Sequence, residues 1–459
     1  MQKEITQMGE ESINKLLFRF SLPSTISMGV LATYNLADTF FVGRLGSEAL
    51  AALSLAFPLQ LMLASVAIGG GVGTASLISR SLGAGNKREA ETAVGQIMGL
   101  AIILGLAAAV LGYFFLDYVL MLFGAGPEIF DLTREYLLVI TTGAVSVFLM
   151  MTLNHAVRSM GEPVFSMKVL ITSALSNIAL DPLLIYTAGL GVQGAAVATV
   201  TARFLGVLIL LHFFLSGKAP LQLRFSDLRP RWYYVVQIYR IGFAGMLLPF
   251  SRNLSQVLAN IILLAPFGHI PVAVLGVFFR LQMLVFMPSV GVGQGLLPLI
   301  GYNFGANNLY RVRETLIKGF SVMTLYITFI SILFFAFPEF MMSVFSPDEE
   351  VITMGTHALR IMVVMFPVTG IHMASAFFFQ AIGKSAPSLL MSLLREIMLF
   401  MPILLILSTT IGLTGVWVAR PVSDFLASAI SLLLISRELS RQGIPLKMPG
   451  RQHLKEANK

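Results

Sequence analysis

The sequence predicts an all-α polytopic membrane protein whose twelve transmembrane helices form two six-helix lobes. Three observations predict this class. Of the 459 residues, 56% are hydrophobic and only 12% are charged, whereas a soluble domain carries about 25% charged residues. Apolar runs of about 20 residues, the length that crosses a bilayer as a helix, recur along the whole chain. The second half of the sequence also repeats the first.

Each predicted span is a run of mostly apolar residues between two polar breaks. In the first lobe the spans lie near residues 16–42, 50–78, 92–115, 133–157, 166–187 and 193–216. In the second lobe they lie near residues 235–264, 271–299, 315–337, 356–381, 389–409 and 413–436. We therefore predict an N-terminal lobe over 1–215, a basic linker over 216–234, a C-terminal lobe over 235–437 and a basic tail over 438–459.

The Lys and Arg residues are distributed very unequally between the two sets of helix ends. The set that includes both termini holds 22 of them, and the other set holds only Arg44, Arg134 and Arg360. Because cytoplasmic ends carry the basic excess, both termini are predicted to be cytoplasmic, which requires an even number of spans. The basic excess is thus a sign of topology in an inner (plasma) membrane, and it does not indicate a nucleic-acid partner.

Several classes of chemistry have no residues to support them. The sequence has no cysteine, which excludes disulfides and thiol catalysis. Its six histidines are scattered without the paired spacing of a metalloenzyme. The polar N-terminal segment is unlike a cleavable signal peptide. We expect no cofactor, no enzymatic activity, and a monomer whose partners are the lipid bilayer and small organic molecules.

The internal repeat is clearest around two glycine-rich stretches. "GGGVGTASLISRSLGAGN", residues 69–86, aligns with "GVGQGLLPLIGYNFGANN", residues 291–308, at an offset of 222 without a gap. Phe57 and Gln60 coincide with Phe279 and Gln282 at the same offset. Since each half has six spans, the halves are parallel repeats about an axis along the membrane normal, with a cavity expected between them. The alternate glycines permit close helix packing or local unwinding.

These features resemble the multidrug and toxic compound extrusion (MATE) transporters. The resemblance runs from about residue 16 to residue 434. Four motifs carry it: "LADTFFVGRLG", the two glycine-rich stretches with the preceding "FPLQL" and "FRLQM", and "SNIALDPLLIYTAGLGVQGAAVAT". It implies two six-helix bundles in a V around a central cavity, and export of amphipathic, often cationic compounds.

The branch of the family follows from where the acidic residues lie. The NorM-type branch has acids in spans seven and ten, and this sequence has none in either span. The DinF-like branch has them in spans one and five. Asp38 and Asp181 occupy those motif positions, with Asn177 and Thr199 as partners. The resemblance therefore implies a cation-coupling site in the N-terminal lobe.

Depth in the membrane agrees with that assignment. Asp38, Asp181, Thr199 and Tyr136 are all predicted near the outer ends of their helices, in one depth band. Asn177 is four residues from Asp181, which places both on one helix face. Carboxylate, amide and hydroxyl oxygens suit a hard cation, so Na⁺ can bind at Asp38, Asn177, Asp181 and Thr199. Two carboxylates that titrate together can also carry a proton, and the sequence leaves H⁺ and Na⁺ open.

The charged residues elsewhere in the spans have predicted structural roles. Arg203 is expected to face the interior of its bundle as a structural partner, the alternative being to neutralise an emptied acidic site. Arg420 and Asp424, four residues apart, are expected to pair. Arg395 and Glu396 are adjacent and are expected to point in different directions, so no role follows for either.

The predicted substrate cavity combines adaptable apolar side chains with a few polar ones. Its predicted lining residues are Met28, Tyr34, Phe57, Asn154 and Ser176. Pro23 weakens the hydrogen-bond ladder of span one, which makes it either a hinge or a static kink. We hypothesise that ion arrival at Asp38 and Asp181 bends span one at Pro23 and releases substrate outward.

The function predicted from these observations is secondary active multidrug export, in exchange for H⁺ or Na⁺. A lipid-linked precursor flippase of the same superfamily is an alternative, although twelve spans and an acidic N-terminal lobe are unlike the kind with extra spans and a strongly cationic cavity. An intramembrane enzyme is an alternative of another class. Asp38 and Asp181 imitate an aspartyl pair, but they occupy non-equivalent positions in the repeat.

Overall fold

The structure is a computed structural model that describes residues 2–443, with side chains from residue 5 onward. Most of the predicted basic tail, residues 444–459, lies outside the described residues. The first half comprises α1 (Gln2–Glu10), α2 (Ile13–Gly43), α3 (Ser47–Gly83), α4 (Lys87–Leu122), α5 (Pro127–Thr142), α6 (Ala144–Ser159), α7 (Pro163–Pro182) and α8 (Gly191–Leu215). A π-helical turn, Leu183–Thr187, extends α7.

The second half repeats this order after a linker that contains the short 3-10 helix Phe225–Leu228. It comprises α9 (Trp232–Phe267), α10 (His269–Gly305), α11 (Leu309–Ala336), α12 (Pro338–Ser343), α13 (Glu349–Met362), α14 (Phe366–Ala381), α15 (Ser385–Leu393) and α16 (Met401–Arg441). The π-helical segment Leu394–Phe400 joins α15 to α16. We call α2–α8 the N-lobe and α9–α16 the C-lobe.

The helices make twelve crossings of a membrane, as predicted. Within residues 2–443, nine helical stretches are long and apolar enough to span, and the bent pairs α5–α6 (52°) and α13–α14 (59°) each make one more. The last stretch, Ser385–Arg441, has 57 residues and reverses at Ile411 and Gly412. Arg420 and Glu396 are 2.9 Å apart, whereas 24 residues of straight helix would separate them by roughly 36 Å. This stretch therefore crosses twice.

Equivalent residues of the repeat lie where α3 and α10 end and where α4 and α11 begin. α3 and α10 end at Gly83 and Gly305. The Asn86 side chain then caps α4 by accepting a hydrogen bond from Glu89 N at 3.1 Å, and Asn308 caps α11 from Arg311 N at 3.3 Å. Asparagine is a preferred N-cap because its oxygen satisfies a free N–H of the first turn. The same short motif thus terminates one long helix and starts the next in each lobe.

The alternate glycines allow close helix packing, and α3 and α10 stay continuous through them. A Cβ at Gly73 would lie 1.9 Å from Ile238 O of α9, and one at Gly295 would lie 2.9 Å from Ser21 N of α2. Each lobe therefore contacts the first helix of the other lobe. The beginning of α2, including Phe20, belongs to a hydrophobic core formed mainly by the C-lobe, while Ile238 belongs to an N-lobe core.

The linker is docked on the N-lobe through Gln96 and Arg88 of α4. Gln96 Nε2 of α4 donates to Asp227 O and Arg229 O at 2.7 and 2.8 Å, and Gln96 Oε1 accepts from Arg231 N at 2.6 Å. Arg88 pairs with the buried carboxylate of Asp227 at 2.7 Å. We call this side of the molecule, where the linker and the α3–α4 turn lie, the linker end.

Candidate functional site

A central cavity of about 560 Å³ lies between the two lobes, in the size range of cavities that hold drug-sized molecules. Four of the predicted lining residues, Met28, Tyr34, Phe57 and Asn154, contribute to its wall. Ser176 does not, and that prediction is wrong. Ser173 and Asn177, four residues apart on one face of α7, line the cavity instead. Ser176 is turned about 100° away from Asn177 around the helix axis, so it lies off this face.

The predicted ion-site residues meet behind the N-lobe wall of this cavity. Asn177 Nδ2 donates to Asp181 Oδ1 at 3.2 Å and contacts Thr199 Oγ1 at 3.4 Å. Asp38 of α2 is close enough to repel Asp181 electrostatically, and both carboxylates are buried. We call Asp38, Asn177, Asp181 and Thr199 the acidic cluster. Asn177 and Thr199 line the cavity, whereas the two carboxylates are not among its described lining residues.

The acidic cluster has more acceptor oxygens than donors. Asp38 Oδ1, Asn177 Oδ1 and Asp181 Oδ2 are buried and have no hydrogen-bond partner in the part of the chain that the structure describes. Buried polar atoms are normally hydrogen-bonded, since leaving them unpaired is costly. The described residues contain no group of three or more His, Cys, Asp or Glu that suits a metal ion. The oxygens present fit a proton or a hard monovalent cation such as Na⁺.

Two further residues adjoin the acidic cluster. Tyr136 is buried and within electrostatic range of Asp38, but its hydroxyl accepts a hydrogen bond from Gln60 Nε2 at 3.0 Å. Arg203 attracts Asp38, and its Nη2 donates to Tyr34 Oη at 3.3 Å. Arg203 also lines the cavity, so it contacts residues of its own bundle and the cavity at once. Thr199 and Arg203 are four residues apart, and both therefore lie on the cavity face of α8.

The charged side chains that line the cavity are all cationic. They are Arg158, Arg203, Arg252 and Arg280, and no Asp or Glu is among the described lining residues. No role was predicted from the sequence for Arg158, Arg252 or Arg280. The available signal was their position inside apolar spans, where a charged side chain indicates a functional site.

The predicted pair of Arg420 and Asp424 is part of a larger buried ionic network in the C-lobe. Arg420 binds Glu396 through two hydrogen bonds of 2.9 and 3.0 Å, and Arg395 Nε binds Asp424 at 2.7 Å. Arg420 and Asp424 also approach within 3.5 Å. The expectation that Arg395 and Glu396 point apart is wrong, because the π-helical segment changes the helix register and both side chains are buried in the bundle, 3.6 Å from each other.

Comparison with known proteins gives one family. The family model MatE matches residues 23–183 and 250–406. A curated FAD transporter of Shewanella oneidensis is 29% identical over 93% of this chain and 95% of its own length. The multidrug export protein MepA of Staphylococcus saprophyticus is 27% identical over 93% of this chain and 94% of its own.

A solved structure has the same fold over nearly the whole chain. It is described as the outward-facing conformation of a multidrug resistance MATE family transporter of the MOP superfamily. It superposes with a TM-score of 0.90 and 26% identity, covering 96% of this chain and 98% of its own.

Proposed function

The chain belongs to the MatE family of membrane transporters, and from this premise we propose that it is an exporter of amphipathic organic compounds driven by H⁺ or Na⁺. Membership of a transporter family excludes the intramembrane enzyme. The observation that carries the proposal is the acidic cluster, whose three unpartnered buried oxygens adjoin the wall of the central cavity. We propose the DinF-like arrangement, with coupling through Asp38 and Asp181.

Coupling requires that the ion and the substrate influence each other through the same helices. Asn177 and Thr199 belong to both the acidic cluster and the cavity wall. A cation or proton that binds Asp38 and Asp181 removes their mutual repulsion and satisfies their free oxygens, so the packing of α2, α7 and α8 changes at the cavity face. We propose that this change lowers the affinity for the substrate and releases it outward.

The helix α2 is a physical link between the acidic cluster and the other lobe. Its first part packs in the C-lobe core, where Gly295 contacts Ser21, while Asp38 lies in the N-lobe. Pro23 lies in the part that contacts the C-lobe, which continues to Thr25, and it lacks the N–H that would complete the helix ladder. We propose that α2 bends at Pro23 when the ion binds, which moves Tyr34 and the cavity wall relative to the C-lobe.

Sidedness and substrate belong to the same proposal. The basic excess supports cytoplasmic termini and a cytoplasmic linker end in an inner membrane. The relatives are named as an FAD transporter and a multidrug export protein. These names support an organic substrate with an aromatic or apolar body, and they do not indicate the sign of its charge.

The test is dye efflux from proteoliposomes under separately imposed pH and Na⁺ gradients. Two dyes are used, fluorescein and a cationic rhodamine ester, which share a xanthene core and differ in charge. The wild-type protein is expected to move at least one dye when one gradient is applied. Asp38→Asn and Asp181→Asn are expected to reduce that movement at least tenfold while leaving protein yield and elution volume unchanged.

A matched control removes an acid that lies outside the acidic cluster. Asp117 is half-exposed on α4 and pairs with Arg134 at 2.6 Å, so Asp117→Asn changes the same charge without touching the cavity. It is expected to transport like the wild type. Gradient-driven efflux that persists unchanged in Asp38→Asn would contradict the proposal.

A further inference from the structure

The wall of the central cavity that the C-lobe contributes is rich in hydrogen-bond donors. Arg252 of α9 and Arg280 of α10 both line it, together with Gln282. Neither arginine forms an ion pair with any described residue: Arg252 lies over the Phe286 ring at 5.5 Å, and Arg280 is exposed to the cavity. A guanidinium in apolar surroundings is unfavourable without an anionic or hydrogen-bonding partner.

A comparison between repeats shows that one donor in this wall is unpartnered. Gln60 and Gln282 are equivalent at the offset of 222. Gln60 Nε2 donates to Tyr136 Oη at 3.0 Å, whereas Gln282 Nε2 has no partner among the described residues, although the residue is only 2% exposed. An unpaired amide donor behind this wall adds to the excess of hydrogen-bond donors over acceptors there.

The charges behind the wall do not compensate this excess. Glu396 attracts Arg252, but its two oxygens already accept hydrogen bonds from Arg420. On the N-lobe side, the hydrogen-bond acceptors of Arg158 among the described residues are the neutral oxygens of Gln294 and Asn154. The charged side chains that line the cavity are therefore all positive, and the carboxylates of the acidic cluster lie outside the described lining.

The rest of the wall is apolar and polarisable, with Met28, Met151, Phe57, Phe279 and Phe377 among its residues. Such side chains pack against aromatic and apolar surfaces of varied shape. Together with the arginines of the C-lobe wall, they define a site with one cationic pole and a broad apolar contact surface.

We propose that the central cavity binds amphipathic organic anions, whose carboxylate, sulfonate or phosphate group is bound by the guanidinium groups of Arg252 and Arg280. This inference rests on the proposed function for the fate of the ligand, since it names the substrate class of the same cavity. In this proposal the coupling cation and the substrate bind at different places. The cation binds in the N-lobe, and the anionic group of the substrate binds on the C-lobe wall.

The test is equilibrium binding to the purified full chain in detergent, without any ion gradient. Fluorescein anisotropy is expected to report binding to the wild type, with weaker binding of the cationic rhodamine ester. Arg252→Gln and Arg280→Gln are each expected to weaken fluorescein binding by about tenfold or more, since each removes charge-assisted hydrogen bonds. Arg252→Lys keeps the charge and is expected to retain part of the affinity.

The matched control is Arg240→Gln. Arg240 lies on the same helix as Arg252, but it is exposed and donates to Ser385 Oγ at 3.0 Å, away from the cavity. This variant is expected to bind fluorescein like the wild type. Tighter binding of the rhodamine ester than of fluorescein by the wild type would overturn the proposal, as would unchanged fluorescein binding in both glutamine variants.

Two further comparisons separate the possible sources of the anion and the two proposals. A short-chain phosphatidylglycerol that displaces fluorescein at concentrations below those of fluorescein itself would support the anion site and assign it to a lipid, as in a flippase. Because binding is measured without a gradient, it does not depend on Asp38 or Asp181 coupling. Intact anion binding with gradient-independent transport would contradict only the proposed function, and the reverse result would contradict only the anion site.

Discussion

Gly83 and Gly305, which are 222 residues apart, each lie against the backbone of the other's helix at the linker end. A Cβ at Gly83 would be 1.9 Å from Tyr302 O of α10, and a Cβ at Gly305 would be 2.0 Å from Arg80 O of α3. The two repeat-related helix ends therefore meet at the pseudo-two-fold axis. This contact holds the lobes together on the linker side of the cavity.

Alanine at either glycine is expected to destabilise the protein, because the clashing atom is a backbone carbonyl that cannot move alone. We expect Gly83→Ala and Gly305→Ala each to lower the free energy of unfolding by about 1–3 kcal/mol or more. The measurement is the thermal unfolding midpoint in detergent. The control is Gly276→Ala on α10, where nothing lies within 4 Å of the new Cβ, and where alanine should be neutral or slightly stabilising. Equal midpoints for all three variants would argue against this contact.

Replacing Pro23 is expected to slow transport without unfolding the protein. Pro23→Ala restores a helix N–H and removes the local weakness in α2, so the straight form becomes more stable relative to a bent one. We expect slower gradient-driven dye efflux with unchanged or raised thermal stability. Pro58→Ala, which replaces an exposed proline inside α3, serves as the control and should transport normally. Wild-type efflux in Pro23→Ala would identify Pro23 as a static kink.

The linker is expected to detach when Gln96 loses its amide. Gln96→Leu removes three hydrogen bonds, two to linker carbonyls and one from Arg231 N, and leaves those groups unpaired. Trypsin should then cut the linker at its arginines several-fold faster, as followed by gel electrophoresis. Gln442→Leu is the control, because Gln442 pairs only with Glu438 one turn away at the end of α16. Equal cleavage rates would show that this glutamine does not hold the linker.

The ionic network of the C-lobe is expected to be sensitive to the loss of one carboxylate. Glu396→Gln leaves Arg420 without its bidentate partner in a buried site, and breaking a buried pair costs about 3–5 kcal/mol. The Glu314→Gln variant breaks a partly exposed pair with Lys318, for which about 0–1 kcal/mol is expected. Denaturant unfolding in micelles measures both values. A loss below 1 kcal/mol in Glu396→Gln would mean that the network is solvated.

Export of an anion in exchange for a cation moves positive charge inward in both half-cycles. When the anion and the cation each carry one charge, an inside-negative membrane potential favours export by about 2.3 kcal/mol per charge per 100 mV. Fluorescein efflux is therefore expected to accelerate when a potassium diffusion potential makes the liposome interior negative. One-for-one exchange of a monovalent cationic dye would be electroneutral and would not respond. Fluorescein efflux that ignores the imposed potential would contradict this charge balance.

The acidic cluster could be predicted in outline from the sequence, and the cavity charge could not. Asp38 and Asp181 are carboxylates in apolar spans, and Asn177 lies four residues from Asp181. Their similar predicted depths follow from where the spans begin and end. Which way Arg203, Arg252 and Arg280 point depends on how eight helices from two lobes rotate about the cavity. Helices that are apolar on every side carry no amphipathic signal that would fix that rotation.

The sequence by itself determined the class of protein, its twelve spans, the repeat and the pair of membrane carboxylates, because hydropathy and spacing are properties of local segments. Only the tertiary structure decided which residues of different segments contact each other. In that structure Gly83 and Gly305 lie against each other's helices, and Arg395 and Glu396 lie close together in a π-helical segment. Ser176 lies off the cavity, and arginines line it. These contacts join residues far apart in the chain, so they depend on packing between helices.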